Sequence, residues 1–330
     1  MKKGMMKVMF CLVFGGATLW LIPSIGLTEC TVTMGRNPYP TIQAAIDAAE
    51  PNGEPDGRTY HNIFIYGECK AEDLGGAPLR NLVVSKNFIN LVGVWDDDHT
   101  TRATIIGNGN ESPTIMIMGR NIVIGDLNIV GGQDGIQVYR GGTAIIRNNV
   151  IQNTERYGIV VGGNSYAYIV GNTIQDNPKD GIVVADSAFA HIGFKTTMEE
   201  WASPNTIQRN AYGVTVARSS SAQIVGNNII SNQYDGVRVA KASQADISNN
   251  IIDNNGGNGI FVTQNSGVNL GRDTGDTIFD LPNSSNTGNG DYGLSCSIGG
   301  YADGRLGTLK GGRRKAVTDF TKDCIDSLKR

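Results

Sequence analysis

From residue 134 to residue 262 apolar side chains alternate with others in short bursts: Ile136 and Val138, Ile159 and Val161, Ile182 and Val184, Val214 and Val216, Val237 and Val239, Ile260 and Val262. A period of two is that of a strand with one buried face, and helical spacing is absent from this stretch. Each burst follows a glycine in a recurring phrase: Asp134-Gly135-Ile136, Tyr157-Gly158-Ile159, Asp180-Gly181-Ile182, Tyr212-Gly213-Val214, Asp235-Gly236-Val237 and Asn258-Gly259-Ile260. These glycines step by 23, 23, 32, 23 and 23 residues, and a fixed period of this size marks a repeat architecture. A second register holds between them, since Ala144, Ile146, Asn149 and Ile151 are echoed by Ala167, Ile169, Asn172 and Ile174, by Ala222, Ile224, Asn227 and Ile229, and by Ala245, Ile247, Asn250 and Ile252. The long step holds about ten extra residues between Ile192 and Asn205, which read as a loop on one face.

A coil of about 23 residues with two or three short strands cannot bury its inner face alone, so the coils must stack, with equivalent residues about 4.8 Å apart. Asn149, Asn172, Asn205, Asn227 and Asn250 then predict an asparagine ladder at a bend, because Asn tolerates the left-handed conformation and its amide reaches the coils above and below. The Asp-Gly and Tyr-Gly pairs read as turn chemistry ahead of a strand. Units such as Ile146-Arg-Asn-Asn149-Val-Ile151 and Asp180-Gly-Ile-Val-Val184 resemble the right-handed parallel β-helix proteins of the pectin-lyase-like superfamily, over roughly residues 38–310. The resemblance implies an all-β solenoid. It also makes Tyr39 to Ala49 similar to the short helix that caps many such rods, with Ile42, Ala45, Ile46 and Ala49 on one face. Such a helix would cover the open edge of the first coil.

The composition agrees, for 44 glycines against 9 Phe and 3 Trp suit many short strands packed through small and β-branched side chains. The chain opens on Met-Lys-Lys-Gly-Met-Met-Lys, an apolar run from Val8 to Pro23, then Ser24, Ile25 and Gly26. That order is a secretory signal with cleavage expected after Gly26, too short for a membrane span. Glu29 ahead of Cys30 is unsuited to lipid attachment at that cysteine. Removing Lys2, Lys3 and Lys7 leaves 25 basic residues against 31 acidic ones, a formal charge of −6, which argues against nucleic acid as a partner. Cys30, Cys69, Cys296 and Cys324 remain in the mature chain. An even number in an exported protein predicts two disulfides, and their clustering at the two ends pairs Cys30 with Cys69 and Cys296 with Cys324. The organisation expected is a signal over 1–26, an N-terminal cap over 27–60, the β-helix over 61–295 and a C-terminal cap over 296–330, with a short helix between Val317 and Leu328. The location is periplasmic or extracellular.

The resemblance implies polysaccharide lyases, hydrolases, esterases or epimerases alongside members without activity, so the side chains must choose. After each glycine, outward positions form three rows: Gln137, Val160, Val183, Thr215, Arg238 and Phe261; then the mostly small row from Tyr139 through Ala185, Ala217 and Ala240 to Thr263; then Arg140, Gly163, Asp186, Arg218, Lys241 and Gln264. The small row predicts a shallow track bordered by Arg218, Arg238 and Lys241, with Asp186 one coil earlier, on which an extended acidic glycan would lie. A lyase would take its base from Arg218, Arg238 or Lys241 and would call for calcium held by acidic side chains, but the carboxylate cluster is missing. A hydrolase would draw on Asp134, Asp180 and Asp235, spaced two coils apart. On another strand Tyr166, Tyr168 and His191 form an aromatic patch for sugar stacking, beside a loop whose Phe194 and Trp201 offer competing packing partners. Asp96-Asp97-Asp98-His99 lacks the glycine spacing of a calcium loop and reads as an acidic turn, and no cofactor motif is present. The sequence thus predicts a rod that binds or processes an extended, acidic polysaccharide along one face, as a lyase or glycoside hydrolase if it is an enzyme. The alternative is a non-catalytic structural or surface-interaction solenoid.

Overall fold

The structure, a computed structural model, describes residues 29–50, 60–76, 81–96, 100–109, 111–193, 203–271, 281–312, 324 and 328–329. The expected signal, Asp97 to His99, Phe194, Trp201 and most of the segment from 313 to 327 lie outside these residues. Among those described, the strands form three sheets of thirteen, eight and nine strands. One coil visits all three in turn: Ile136–Val138 in the nine-stranded sheet, Thr143–Arg147 in the thirteen-stranded sheet and Val150–Gln152 in the eight-stranded sheet, before Ile159–Val161 starts the next. Strands one coil apart pair in parallel and in the register the repeats predict, as in Ile136↔Ile159 and Ala144↔Ala167. The interior is a set of columns of like residues. Ile151, Ile174, Ile207, Ile229 and Ile252 make one, all fully buried.

The corners hold polar ladders. Asn172 accepts at Oδ1 from the backbone N of Asn149 at 2.9 Å and from its Nδ2 at 3.0 Å, and donates from its own Nδ2 to Ile146 O at 2.8 Å and Asn205 Oδ1 at 3.0 Å. The column continues through Asn227 and Asn250 to Asn283. A second asparagine ladder, not anticipated from the sequence, links Asn177, Asn210, Asn232, Asn255 and Asn289 at the next corner. Ser220, Ser243 and Ser266 line the third, each hydroxyl accepting a backbone N–H from the preceding coil. The ladder asparagines are not themselves left-handed, contrary to expectation. The positive φ falls one residue earlier, at Asn148, Gly171, Gly226 and Asn249, which leaves the ladder side chain aimed inward.

The repeated glycines also serve a different purpose from the one expected. A Cβ on Gly213 would sit 2.3 Å from Gly236 O and 2.5 Å from the Ile229 Cγ2 methyl, so it is coil-to-coil contact, not a positive φ, that excludes a side chain there. At the N-terminal end Ile42–Ala48 is helical, with the Thr41 hydroxyl accepting from Ala44 N at 3.0 Å, and buries Ile42, Ala45 and Ile46. Its Gln43 amide accepts from Val83 N at 2.9 Å and donates to Val83 O at 3.1 Å. The side chain thereby stands in for the missing neighbour of the edge strand Leu82–Val84, which blunts an otherwise open edge. Disulfides join Cys30 to Cys69 and Cys296 to Cys324, as the spacing predicts. At the far end the parallel ladder runs on past residue 295 through Tyr301–Arg305 to Leu328–Lys329, so Leu328 lies in a strand where a helix was expected.

Candidate functional site

Each coil gives the nine-stranded sheet only three residues, the outer two buried and the middle one partly exposed, as in Ile182–Val184 and Val237–Val239. The middle side chains stack as Gln137, Val160, Val183, Thr215, Arg238 and Phe261, the first of the rows expected from sequence. Beside them runs the residue ahead of each glycine. The glycine N–H donates to the carbonyl of the equivalent residue one coil on: Gly135 to Tyr157, Gly158 to Asp180, Gly181 to Tyr212, Gly213 to Asp235 and Gly236 to Asn258. Carboxyl and phenol groups therefore alternate coil by coil from Asp134 to Asp235, about 4.8 Å apart along the rod.

This row is electrostatically tuned. Asp134 is committed to Arg156, which donates Nε to Oδ1 at 3.2 Å and NH2 to Oδ2 at 3.1 Å. Burial pushes the Asp180 carboxyl above its ordinary range, against the opposing pull of the Thr215 hydroxyl, Arg238 and Lys179. Burial likewise raises Asp235, although Asn258 donates to its Oδ1 from both the backbone N and Nδ2 at 2.8 Å. Tyr157 and Tyr212 are raised mainly by burial, so neither phenol is a base near neutrality. The Arg238 guanidinium lies over the Tyr212 ring, 5.5 Å from its centroid, and Tyr212 meets the exposed Tyr234 ring at 5.0 Å. Two buried polar atoms here have no hydrogen-bond partner, Arg238 Nε and Asn258 Oδ1, while the Thr215 hydroxyl has the Asp180 carboxyl as its partner.

A raised carboxyl has a consequence for stability. With its folded pKa above the unfolded one, Asp180 destabilises the fold as pH rises from the ordinary carboxylate range toward the folded value, because only the unfolded chain releases its proton there. Asp180→Asn is expected to melt higher than the wild type near neutral pH and together with it below the ordinary carboxylate range. Melting curves across pH check this, and a variant that melts lower at neutral pH would refute it.

The residues singled out from sequence are dispersed. Arg238 sits in the centre of this face, whereas Asp186, Arg218 and Lys241 are left-handed residues at the exposed corner leading into the thirteen-stranded sheet. Arg218 there pairs with Asp186 at 3.3 Å. Tyr166, Tyr168 and His191 do come together, on the outward side of the thirteen-stranded sheet: Tyr166 stacks on Phe189 at 5.6 Å and Tyr168 meets the buried His191 edge-on at 4.8 Å. Asp96 forms a turn, accepting from Thr101 N and from Thr100 through N and Oγ1, and these bonds hold its carboxyl at about 2. Among the described residues no three His, Cys, Asp or Glu side chains converge to hold a metal ion. Tyr212, Tyr234 and Asn258 were missed. For Tyr212 and Asn258 the signal was their place directly ahead of the glycine, which read as turn chemistry, while Tyr234 stands one residue before that phrase.

The family model described as "right handed beta helix region" matches residues 61–197 and 189–297. Among solved structures the chain is similar to the periplasmic alginate epimerase AlgG, at 14% identity over 91% of this chain and 92% of that one, with a TM-score of 0.46. It is also similar to the A-module of the mannuronan C-5 epimerase AlgE4 of Azotobacter vinelandii, at 16% identity over 87% and 88% of the two chains, with a TM-score of 0.44. No protein of curated function matches the sequence.

Proposed function

We propose that this chain, which belongs to the right-handed β-helix family, binds an extended polysaccharide along the outward face of its nine-stranded sheet. The observation that carries the proposal is the neighbouring Tyr212 and Tyr234 rings, the latter exposed, with the Arg238 guanidinium over Tyr212. Sugars offer C–H faces for the rings and hydroxyl groups for the guanidinium. A row of sites repeating every coil suits a polymer better than a compact metabolite. The two disulfides fit an oxidising compartment, and with the signal-like N-terminus they support export. No described helix is long and apolar enough to cross a membrane.

Processing is the further step. Asp180 and Asp235 stand two coils, about 10 Å, apart, slightly beyond the separation an inverting glycosidase uses. Burial raises both carboxyls, which suits a general acid but not the ionised base that an inverting glycosidase sets opposite it. A purely structural rod is favoured instead by the coil-to-coil ion pairs Arg156–Asp134, Arg209–Asp176 and Arg218–Asp186, which tie neighbouring coils without any ligand.

Electrophoresis through gels containing xylan, glucomannan, alginate or polygalacturonate separates the two readings. Retarded migration in at least one gel is expected. Arg238→Ala should weaken the interaction by about 10-fold to 100-fold, the range for a central interface arginine, without changing mobility in plain gel beyond its lost charge. Uniform mobility in every gel would favour the structural rod. Reducing-end release, or the ultraviolet absorbance of an unsaturated uronate, reports cleavage in the same samples.

A further inference from the structure

We infer that this chain, on the binding reading above, takes a branched polysaccharide and seats a single-sugar branch in a hollow beside the Tyr212 and Tyr234 rings. The hollow is written in the sequence as a missing residue. The bend that leads from the asparagine ladder to the repeated glycine takes four steps in Asn177 to Gly181, Asn232 to Gly236 and Asn255 to Gly259, but three in Asn210 to Gly213. Ala211 N donates to Lys179 O and Tyr234 N to Ala211 O, so these three residues match from coil to coil. The short coil then has no residue to set between Pro178 and Gln233. A cavity of about 380 Å³ opens there, lined by Pro178, Ala211 and Gln233 and, toward the eight-stranded sheet, by Asp176, Arg209 and Ser231.

The polar groups of this hollow lie open to solvent. Arg209 donates Nε to Asp176 Oδ1 and Nη2 to Asp176 Oδ2, both at 2.8 Å, and the two side chains are still 48% and 36% exposed. Their charges cancel, while the guanidinium Nη1 and the remaining carboxylate lone pairs can serve sugar hydroxyls as donor and acceptor. Gln233 adds an exposed amide, and Pro178 and Ala211 give C–H groups an apolar wall. Position and number favour a branch over the main chain. Ala211 and Gln233 line the hollow and the residues that follow them carry the rings, so a sugar lying on the rings stands about one residue, 3.8 Å of chain, from its rim. The volume is at the small end for a ligand site, which suits one sugar. A main-chain subsite on a repeating face would recur coil by coil, whereas the three-step bend occurs once between Asn177 and Gly259.

Matched oligosaccharides test this: a β-1,4-linked mannose oligomer against the same chain carrying one galactose branch, and a β-1,4-linked glucose oligomer against the same chain carrying one xylose branch, titrated calorimetrically. Each pair shares its main chain and differs only in the branch. The branched member of the better-bound pair is expected to bind at least about tenfold tighter. Arg209→Ala should remove most of that advantage, with Gln233→Ala as the second variant should Arg209→Ala disturb the fold, whereas Tyr212→Ala should weaken both members. Branched oligomers that bind no tighter than linear ones, or a preference that both hollow variants leave intact, would overturn this inference and leave the binding face standing. If no oligomer of either kind binds, the inference and the binding face fall together.

Discussion

Asn172→Leu is expected to destabilise the rod by about 3–5 kcal/mol, because it removes the middle of a buried ladder rather than one bond. Asn149 N would lose its acceptor and Ile146 O this side-chain donor, while Asn149 Nδ2 and Asn205 Oδ1 would each lose one of two bonds, with the site 1% exposed and closed to water. Each buried polar group left unmet costs about 1–3 kcal/mol, and relaxation of the coil recovers part of the total. For a chain of this size that corresponds to a fall in Tm of about 4–8 °C. Gln208→Ala is the control. Gln208 donates Nε2 to Gln175 Oε1 at 3.0 Å in a similar amide ladder, but on the outside of the eight-stranded sheet, where water replaces the lost partner and a cost under about 1 kcal/mol is expected. Equal melting curves for Asn172→Leu and the wild type would remove the ladder from the account.

The second large effect concerns the N-terminal end. Replacing Cys30 and Cys69 by alanine opens a bridge of sequence separation 39, and chain-entropy reasoning assigns a loop of that size about 3–4 kcal/mol. In a solenoid each coil leans mainly on its neighbours, so the loss should be local to the end it pins. Hydrogen exchange is expected to rise in Thr31–Met34, Ile42–Ala48 and His61–Tyr66 and to stay unchanged in coils such as Ile182–Val184. Exchange that rises evenly along the chain would show that the bridge stabilises the rod as a whole.

The architecture was legible because a solenoid writes its fold as a period. Counting residues between Gly135 and Gly259 places strands, register and the first asparagine ladder, since stacking leaves equivalent positions no other partners. The second ladder was equally present, with Asn177, Asn210, Asn232 and Asn255 in the same register, but it stands in a polar connection where no apolar period draws the eye. The site was less legible for a physical reason. Asp180 ahead of a glycine has the same letters whether it makes a turn or faces a ligand, and only burial, the unmatched Arg238 Nε and the neighbouring Tyr212 ring separate the two. Arg218 and Lys241 misled because alternation was carried one residue too far. At Arg218-Ser219 and Lys241-Ala242 the backbone turns left-handed and leaves the sheet, so those side chains border a corner rather than the face holding Arg238.

The central claim, that one face of the rod holds an extended sugar chain coil by coil, is tested most directly by calorimetric titration with manno- or gluco-oligosaccharides of increasing length. The polar row from Tyr157 to Asn258 crosses five successive coils. Affinity is therefore predicted to climb with each added sugar until the chain spans about five coil heights of 4.8 Å and then to level off, with Tyr212→Ala flattening the climb. An affinity that is the same for the shortest and longest oligomers, or one that Tyr212→Ala leaves untouched, would contradict it.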